Sequence, residues 1–186
     1  NFKINANSYN KNVDWLWILD PLDGTKDFIQ GTGNYAMHLA LNYKNKPLLG
    51  VVLIPARNEL WISNGKDVWC EGREGYRKDK YSAKKTSLNE MTLVKSRNHG
   101  NNLLNSLINK IHFKNTIVMG SIGCKIASIL RGESDIYISF SQKGGGAPKD
   151  WDFAAPEVIL TTYGGAITNL RNESLKYNEN NFNHHG

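Results

Sequence analysis

WLWILDPLDGT, residues 15–25, is the stretch that decides the fold. Residues 15–20 are apolar until the final aspartate and precede a cluster of turn-forming residues, which predicts a short buried strand. Pro21 stiffens the turn and Gly24 frees the backbone there. The next segment, 25–31, predicts one or two helical turns. The stretch therefore predicts a strand, a tight turn and a short helix in close succession.

Downstream of this stretch, apolar periodicity divides the chain into two regions. The N-terminal region, residues 1–82, is β-rich, with predicted strands at 35–44, 47–55, 58–63 and 67–72. The C-terminal region, residues 83–186, alternates predicted strands at 91–96, 115–120, 134–140 and 166–170 with predicted helices at 102–111, 123–132 and 149–165. Such alternation predicts an α/β layer. We expect one domain over 1–186, with the two regions as subdivisions.

Size and charge limit the classes of function. The 186 residues have a mass of 20.9 kDa, with 40% hydrophobic and 22% charged residues, which is typical of a soluble globular domain. The net charge of +6 comes from Lys and Arg residues that are scattered singly. This pattern favours a basic enzyme surface that attracts an anionic substrate over a nucleic-acid binder.

Cysteine content and hydropathy indicate the compartment. Cys70 and Cys124 are the two cysteines of the sequence, so it predicts neither a disulfide framework nor a zinc site. No apolar run approaches the roughly 20 residues that span a bilayer. We therefore expect a cytoplasmic protein with no membrane partner.

The motif DPLDGT, which begins at Asp20, combines two kinds of chemistry. Asp20 and Asp23 place two carboxylates at a strand end, where they repel each other unless a hard cation such as magnesium lies between them. The carbonyl of Leu22 offers a further oxygen. Gly24 and Thr25 then open a helical turn whose backbone N–H groups can bind an anion. Asp-Gly is also a common turn dipeptide, but the whole string after a strand favours phosphoryl-transfer chemistry.

A second acidic segment opens the last predicted helix, where Asp150 and Asp152 flank a tryptophan. Capping and the helix dipole favour aspartate in a first turn, so an ordinary capped helix explains one of the two. Because the two carboxylates point in different directions, only one of them can reach the site of Asp20 and Asp23. Taken alone, the segment is better explained as a capped helix.

Together, DPLDGT at 20–25 and WDFAA at 151–155 resemble the paired motifs of the inositol monophosphatase superfamily. Four longer stretches are similar to its 3′(2′),5′-bisphosphate nucleotidase branch: WILDPLDGTKDFIQG (17–31), SRNH (96–99), GSIGCKIASILRGESDIYIS (120–139) and APKDWDFAAPEVILTTYGG (147–165). The resemblance covers the chain from about Asp14 to Tyr177. It implies an α/β fold, the layered αβαβα sandwich of inositol monophosphatase and fructose-1,6-bisphosphatase.

The resemblance also implies the roles of individual residues. The implied magnesium ligands, for two or three ions, are Asp20, the carbonyl of Leu22, Asp23 and Asp152. The implied phosphate-binding amides are those of Gly24 and Thr25, and the implied catalytic residues are Asp23 and Thr25, whose hydroxyl orients the attacking water. The implied nucleotide contacts are His99, Ser121 and Lys125. The metal site is thus assigned mainly to the N-terminal region and the substrate contacts to the C-terminal region.

Two of the implied nucleotide contacts have an ordinary alternative. His99 stands in a polar loop and is equally explained as a solvated histidine. Lys125 has apolar helical neighbours and is also explained as a surface lysine whose aliphatic chain covers them.

The sequence departs from the family pattern upstream of the motif. Family members carry a catalytic glutamate there, often in a Glu-Glu pair, whereas residues 1–19 contain Asp14 as their only acidic residue. The family's two N-terminal helices are missing too, and its last strand, after Gly164, is short. We therefore expect a truncated sequence that lacks those helices, binds metal weakly and is weakly active or inactive.

The expected function is the magnesium-dependent hydrolysis of adenosine 3′,5′-bisphosphate to AMP and phosphate, which serves sulfate assimilation and is inhibited by lithium in the family. The expected partner is a small phosphate ester rather than a nucleic acid or a membrane, and the protein is expected to be a monomer or a homodimer. An inositol monophosphatase is the first alternative. A non-catalytic metal- or nucleotide-binding fragment is the alternative from another class, and the missing glutamate favours it.

Overall fold

The structure is a computed structural model, and it describes residues 13–72, 87–97, 102–140 and 147–184. Within these ranges it contains two sheets and four α-helices. The helices are α1 (Thr25–Ile29), α2 (Asn102–Ile111), α3 (Ile122–Leu130) and α4 (Asp150–Tyr163). Single 3₁₀ turns lie at Pro55–Arg57, Leu88–Glu90 and Asn180–Phe182. The chain is thus a mixed α/β protein, which confirms the predicted fold class.

The first sheet is antiparallel and has five strands. In spatial order they are β1 (Trp15–Asp23), β2 (Ala36–Tyr43), β3 (Lys46–Ile54), β4 (Glu59–Ser63) and β5 (Val68–Gly72). Each strand pairs with the next one along the chain, so the sheet is a meander, as the sequence predicted. β1 is longer than predicted, because it continues past a shift of register between Asp20 and Asp23.

Strand β1 is exposed on one face, contrary to the buried strand that its sequence predicted. Trp15, Trp17 and Leu19 are 56%, 62% and 53% exposed, whereas Ile18 is 9% exposed. β1 is an edge strand, and successive side chains of a strand point to opposite faces of the sheet. The prediction was wrong because a short apolar run does not distinguish burial on both faces from burial on one.

Helix α4 packs across the other face of this sheet, against β3 and β2. Ala154 and Ala155 in the helix are fully buried. Gly50 in β3 lies beneath them, where an added Cβ would meet the carbonyl oxygen of Ala155 at 2.8 Å. Small residues on both sides therefore let α4 approach the sheet closely. The same packing brings α4 into contact with β1.

The second sheet is parallel and has three strands. They are β6 (Thr92–Ser96), β7 (Asn115–Met119) and β8 (Ile136–Tyr137), with β6 in the centre. α2 leads from β6 to β7, and α3 leads from β7 to β8, so the predicted α/β alternation is confirmed. Both α3 and α4 end within two residues of the predicted helix ends at 132 and 165, because Gly132 (φ 74°) and Gly164 (φ 108°) adopt the left-handed conformation that helix C-termini favour.

Two of the predicted strands differ from the structure. The strand predicted at 134–140 is reduced to Ile136–Tyr137. The strand predicted at 166–170 is absent: within this described segment there is an isolated bridge between Thr168 and Ser174. The backbone turns there because Asn169 accepts hydrogen bonds from nearby backbone N–H groups, and such local bonds compete with a sheet.

The predicted subdivision near residue 82 falls outside the described residues and stays a prediction. Helix α4, from the C-terminal region, nevertheless packs on the first sheet. Over the stretches of chain that the structure describes, no helix combines the length and the apolar character needed to cross a membrane.

Candidate metal and phosphate site

Three predicted metal ligands meet where the end of β1 faces the first turn of α4. Asp20 and Asp23 come from β1 and Asp152 from α4. One carboxylate oxygen of each lies within 4.8 Å of those of the other two. Oxygen ligands at this spacing are what magnesium and calcium take in proteins. The structure therefore brings together three of the residues that the sequence predicted for a cation site.

The electrostatics of the three carboxylates fit a divalent cation. Burial raises the pKa of Asp152 to about 6, and the charges of Asp23 and Asp20 add to the effect against an opposing hydrogen bond from the Lys149 N–H. The pKa of Asp20 is raised too, mainly by burial. The hydrogen bond from the Leu22 N–H lowers this pKa, and the charge of Asp23 raises it by a smaller amount. Each raised pKa reports the cost of burying negative charges close together, which a bound cation would relieve.

Asp23 is held in a fixed orientation by the start of α3. Its Oδ2 accepts hydrogen bonds from the Ser121 hydroxyl (2.6 Å), the Ile122 N–H (2.6 Å) and the Gly123 N–H (3.3 Å). Because these donors all bind Oδ2, Asp23 retains Oδ1 as its other acceptor. Asp23 is 8% exposed, so the hydrogen bonds also satisfy a buried charge.

Asp152 has a similar division between its two oxygens. Its Oδ2 accepts a hydrogen bond from the Lys149 N–H at 2.6 Å, which caps the start of α4. The neighbouring Asp150 turns away from the carboxylates and accepts a hydrogen bond from the Asn178 N–H at 2.7 Å. The alternation along the sequence thus separates the two aspartates, as expected, and Asp152 is the one that reaches the site.

The turn between β1 and α1 shapes the predicted phosphate-binding segment. Gly24 adopts φ 82° at the N-cap of α1, and an added Cβ would meet the Asn34 carbonyl oxygen at 2.8 Å. The position therefore requires glycine on two grounds. The exposed Thr25 donates a hydrogen bond from its hydroxyl to the Leu22 carbonyl oxygen at 3.0 Å. Both predicted phosphate-binding residues thus stand at the start of α1, directly after Asp20 and Asp23 in the chain.

The predicted nucleotide contacts have different positions. His99 lies outside the described residues. Ser121 is the N-cap of α3, where its hydroxyl accepts from the Cys124 N–H and donates to Asp23. Lys125 is 1% exposed, and its Nζ donates to the Gly120 carbonyl oxygen at 2.7 Å, so it is not a surface lysine. Contact of these residues with a substrate stays a prediction.

His38 adjoins the site and was not singled out from the sequence. It lies opposite Asp20 in the pairing of β1 with β2 and is 1% exposed. Its Nε2 lies 3.3 Å from Asp23 Oδ2, and its Nδ1 lies 3.3 Å from the Trp151 carbonyl oxygen. The signal was present in the sequence, since His38 alternates with Ala36 and Ala40 on the inward face of β2.

Comparison with known proteins identifies the family. The profile of the inositol monophosphatase family matches residues 2–184. A 3′(2′),5′-bisphosphate nucleotidase CysQ from Buchnera aphidicola is 32% identical over 179 residues, which cover 95% of this chain and 62% of that protein. The mouse 3′(2′),5′-bisphosphate nucleotidase 1 is 29% identical over 168 residues, which cover 88% of this chain and 52% of that protein. The chain thus spans about half to three fifths of the length of these curated relatives.

Solved structures agree with this assignment. The crystal structure of CysQ from Bacteroides thetaiotaomicron, a bacterial member of the inositol monophosphatase family, is 26% identical and superposes with a TM-score of 0.75 over 92% of this chain and 68% of that chain. An inositol monophosphatase from Zymomonas mobilis, 22% identical, shares the fold with a TM-score of 0.77 over 96% of this chain and 66% of that one. The chain therefore belongs to the inositol monophosphatase family.

Proposed function

We propose that the chain carries the metal and phosphate site of a magnesium-dependent 3′(2′),5′-bisphosphate nucleotidase, which hydrolyses adenosine 3′,5′-bisphosphate to AMP and phosphate. The observation that carries the proposal is the convergence of Asp20, Asp23 and Asp152, whose ligand oxygens lie within 4.8 Å of one another beside the start of α1. The relatives named bisphosphate nucleotidase support the choice of substrate, at 28% to 32% identity.

Magnesium bound by the three carboxylates would offset the charge of the phosphate and lower the pKa of a water molecule. The backbone amides of Gly24 and Thr25 hold the phosphate oxygens at the start of α1. The Thr25 hydroxyl donates its proton to the Leu22 carbonyl oxygen, so its oxygen can accept a hydrogen bond from the attacking water. The chain's own residues thus bind the ester and orient the nucleophile.

A covalent route through cysteine is disfavoured by the surroundings of Cys124. Burial raises the pKa of this thiol to about 11, so it stays protonated at neutral pH. The thiolate is the nucleophilic form of cysteine. Cys124 is therefore not the nucleophile of the proposed reaction.

Parallel phosphate-release assays on adenosine 3′,5′-bisphosphate and inositol 1-phosphate test the substrate, each with magnesium, with EDTA and with lithium. We expect magnesium-dependent release that is faster from the nucleotide and is inhibited by lithium. Faster release from the inositol ester would assign the chain to the monophosphatase branch. Binding of magnesium and AMP without any hydrolysis would instead support a non-catalytic role for this chain.

A further inference from the structure

Asp27 is a fully buried carboxylate in α1 that the proposed mechanism does not use. It is 0% exposed, and its Oδ1 accepts hydrogen bonds from the Thr32 hydroxyl at 2.6 Å and from Arg97 Nε at 3.1 Å. A buried carboxylate is costly unless it is paired and hydrogen-bonded. Helix α1 has five residues, which is too short to be stable by itself. Its position therefore depends on contacts such as these.

Arg97 connects α1 to the second sheet. It follows the last residue of β6, and its backbone N–H donates to the Met119 carbonyl oxygen at 3.1 Å. Its guanidinium donates through Nη2 to the Val118 carbonyl oxygen at 3.3 Å while Nε binds Asp27. The guanidinium is thus fixed to β7 on one side and to α1 on the other.

The loop after β7 is shaped around the same carboxylate. A Cβ added at Gly120 would overlap the Asp27 side chain, so glycine is needed for the close approach. The Gly120 carbonyl oxygen accepts a hydrogen bond from Lys125 Nζ at 2.7 Å. The residue after Gly120 is Ser121, which holds Asp23. Gly120, which packs against Asp27 of α1, and Ser121, which binds Asp23, are therefore consecutive residues.

We propose that Asp27 and Arg97 are a positioning pair, which fixes α1, and with it the amides of Gly24 and Thr25, relative to the Asp23 carboxylate. This inference rests on the proposed function, because it assigns the pair a role in phosphate binding. Replacement of Arg97 removes the cation that is paired with the buried Asp27 carboxylate, and α1 then moves away from β7. The phosphate-binding amides lose their alignment, while the metal carboxylates keep their own supports.

The test uses the 186-residue chain, with inorganic phosphate in excess magnesium as the probe. Arg97→Gln removes the charge and Arg97→Lys keeps it. Arg57→Gln is the matched control, because Arg57 forms an exposed ion pair with Glu133 at 3.4 Å and not with Asp27. Calorimetry measures the Kd for phosphate and, separately, the Kd for magnesium. NMR measures hydrogen exchange of the Phe28 and Gln30 amides, which are bonded within α1.

We expect Arg97→Gln to raise the Kd for phosphate about tenfold, to speed exchange in α1 by a similar factor and to change the Kd for magnesium less than twofold. Arg97→Lys should recover most of the phosphate affinity, and Arg57→Gln should change none of the three. If the pair served only the stability of the fold, Arg97→Gln would lower the melting temperature and would change the Kd for phosphate and the Kd for magnesium by similar factors.

Two results would overturn the inference or separate it from the proposed function. Exchange in α1 that is unchanged in both Arg97 variants overturns the positioning role, whatever the chain hydrolyses. If the wild-type chain binds no phosphate, the proposed function fails, and with it the role of the pair in phosphate binding. In that case, faster hydrogen exchange in α1 of Arg97→Gln would show that the pair holds the helix in place but has no role in phosphate binding.

Discussion

At the scale of single residues, the buried carboxylate of Asp152 makes the stability of the protein depend on pH. Burial, with the Asp23 and Asp20 charges, raises its pKa from 3.8 to about 6. Between those values the folded chain holds a proton that the unfolded chain has released, so the free energy of unfolding of the metal-free protein falls as pH rises. The fall over this window is on the order of 2–3 kcal/mol.

Urea unfolding in EDTA at pH values from 4 to 7 measures this fall. We expect Asp152→Asn to reduce the slope, because the amide does not titrate; Asp20 and Glu157, whose pKa values are also raised, contribute the remainder. Asp67→Asn, at an exposed position, is the control and should keep the slope. Magnesium should stabilise the wild-type protein more at pH 7 than at pH 5, since protons compete for the same carboxylate. An unchanged slope in Asp152→Asn would show that another group causes the pH dependence.

Asp23 is the residue where the metal assignment can be tested most directly. Asp23→Asn keeps a side-chain oxygen for the donors at the start of α3 but loses one charged ligand oxygen. Because this chain is expected to be weakly active at most, we expect its magnesium-dependent phosphate release to fall below detection when one of the three carboxylate ligands is lost. Phosphate release measures the loss, and circular dichroism should show a folded protein. Magnesium-dependent activity that survives in this variant would refute Asp23 as a ligand.

At the scale of elements, the packing of α4 on β3 decides where Asp152 stands. An alanine at Gly50 would overlap the Val158 side chain and press on the Ala155 backbone. We expect Gly50→Ala to destabilise the protein by about 1–3 kcal/mol, because overpacking displaces the helix. The Kd for magnesium should rise too, since α4 carries one of the three carboxylates. Urea unfolding and calorimetry measure the two effects.

Gly132→Ala is the control for this prediction. Gly132 ends α3 at φ 74° with open space around it, so alanine there costs about 1 kcal/mol from the left-handed backbone alone. Its effect on magnesium binding should be negligible. Equal losses of magnesium affinity in the two variants would show that α4 packing does not position Asp152.

The elements that the sequence predicted well are those whose ends carry a local signal. Gly132 and Gly164 marked the ends of α3 and α4 because a left-handed residue is needed there. The strand predicted at 166–170 was wrong because Asn169 bonds to the backbone two and four residues later, a competition that apolar content does not reveal. The exposure of β1 depends on its place at the sheet edge, which the strand's own residues do not specify.

At the scale of the whole molecule, the site combines contacts that are local in the sequence with contacts that are not. Asp20 and Asp23 could be predicted because one short motif holds both of them. The bond between Ser121 and Asp23 joins residues 98 positions apart, and that between Arg97 and Asp27 joins residues 70 positions apart. Neither pairing has a periodicity or spacing signal, so only the fold reveals which side chains hold the predicted ligands in place.

The last described segment of the chain is bonded to α4 and to the residue that precedes it. His184 Nε2 lies 2.9 Å from Asp150 Oδ1, and Lys149 Nζ donates to Asn183 Oδ1 at 2.6 Å. Tyr177, which is 1% exposed, donates a hydrogen bond to the Glu157 carboxylate. These contacts surround the turn of α4 that presents Asp152. Residues far along the chain thus contribute to the stability of the helix that completes the site.

Tyr177→Phe tests this contribution. Burial raises the pKa of Glu157 and the Tyr177 hydrogen bond lowers it, so the variant leaves a buried carboxylate without that donor. We expect a loss of about 1–3 kcal/mol in the free energy of unfolding at pH 7.5. The loss should shrink as pH falls, because the carboxyl of the variant, with its higher pKa, becomes protonated first and then needs no donor.

Urea unfolding at pH 7.5 and pH 5 measures both effects, with Tyr43→Phe at an exposed position as the control. In a double-mutant cycle, Glu157→Gln should remove much of the cost of Tyr177→Phe. The charged acceptor is then absent both from the protein with Tyr177 and from the protein with the phenylalanine substitution. A loss that is independent of pH and additive with Glu157→Gln would show that the hydrogen bond to the Glu157 carboxylate does not hold this segment against α4.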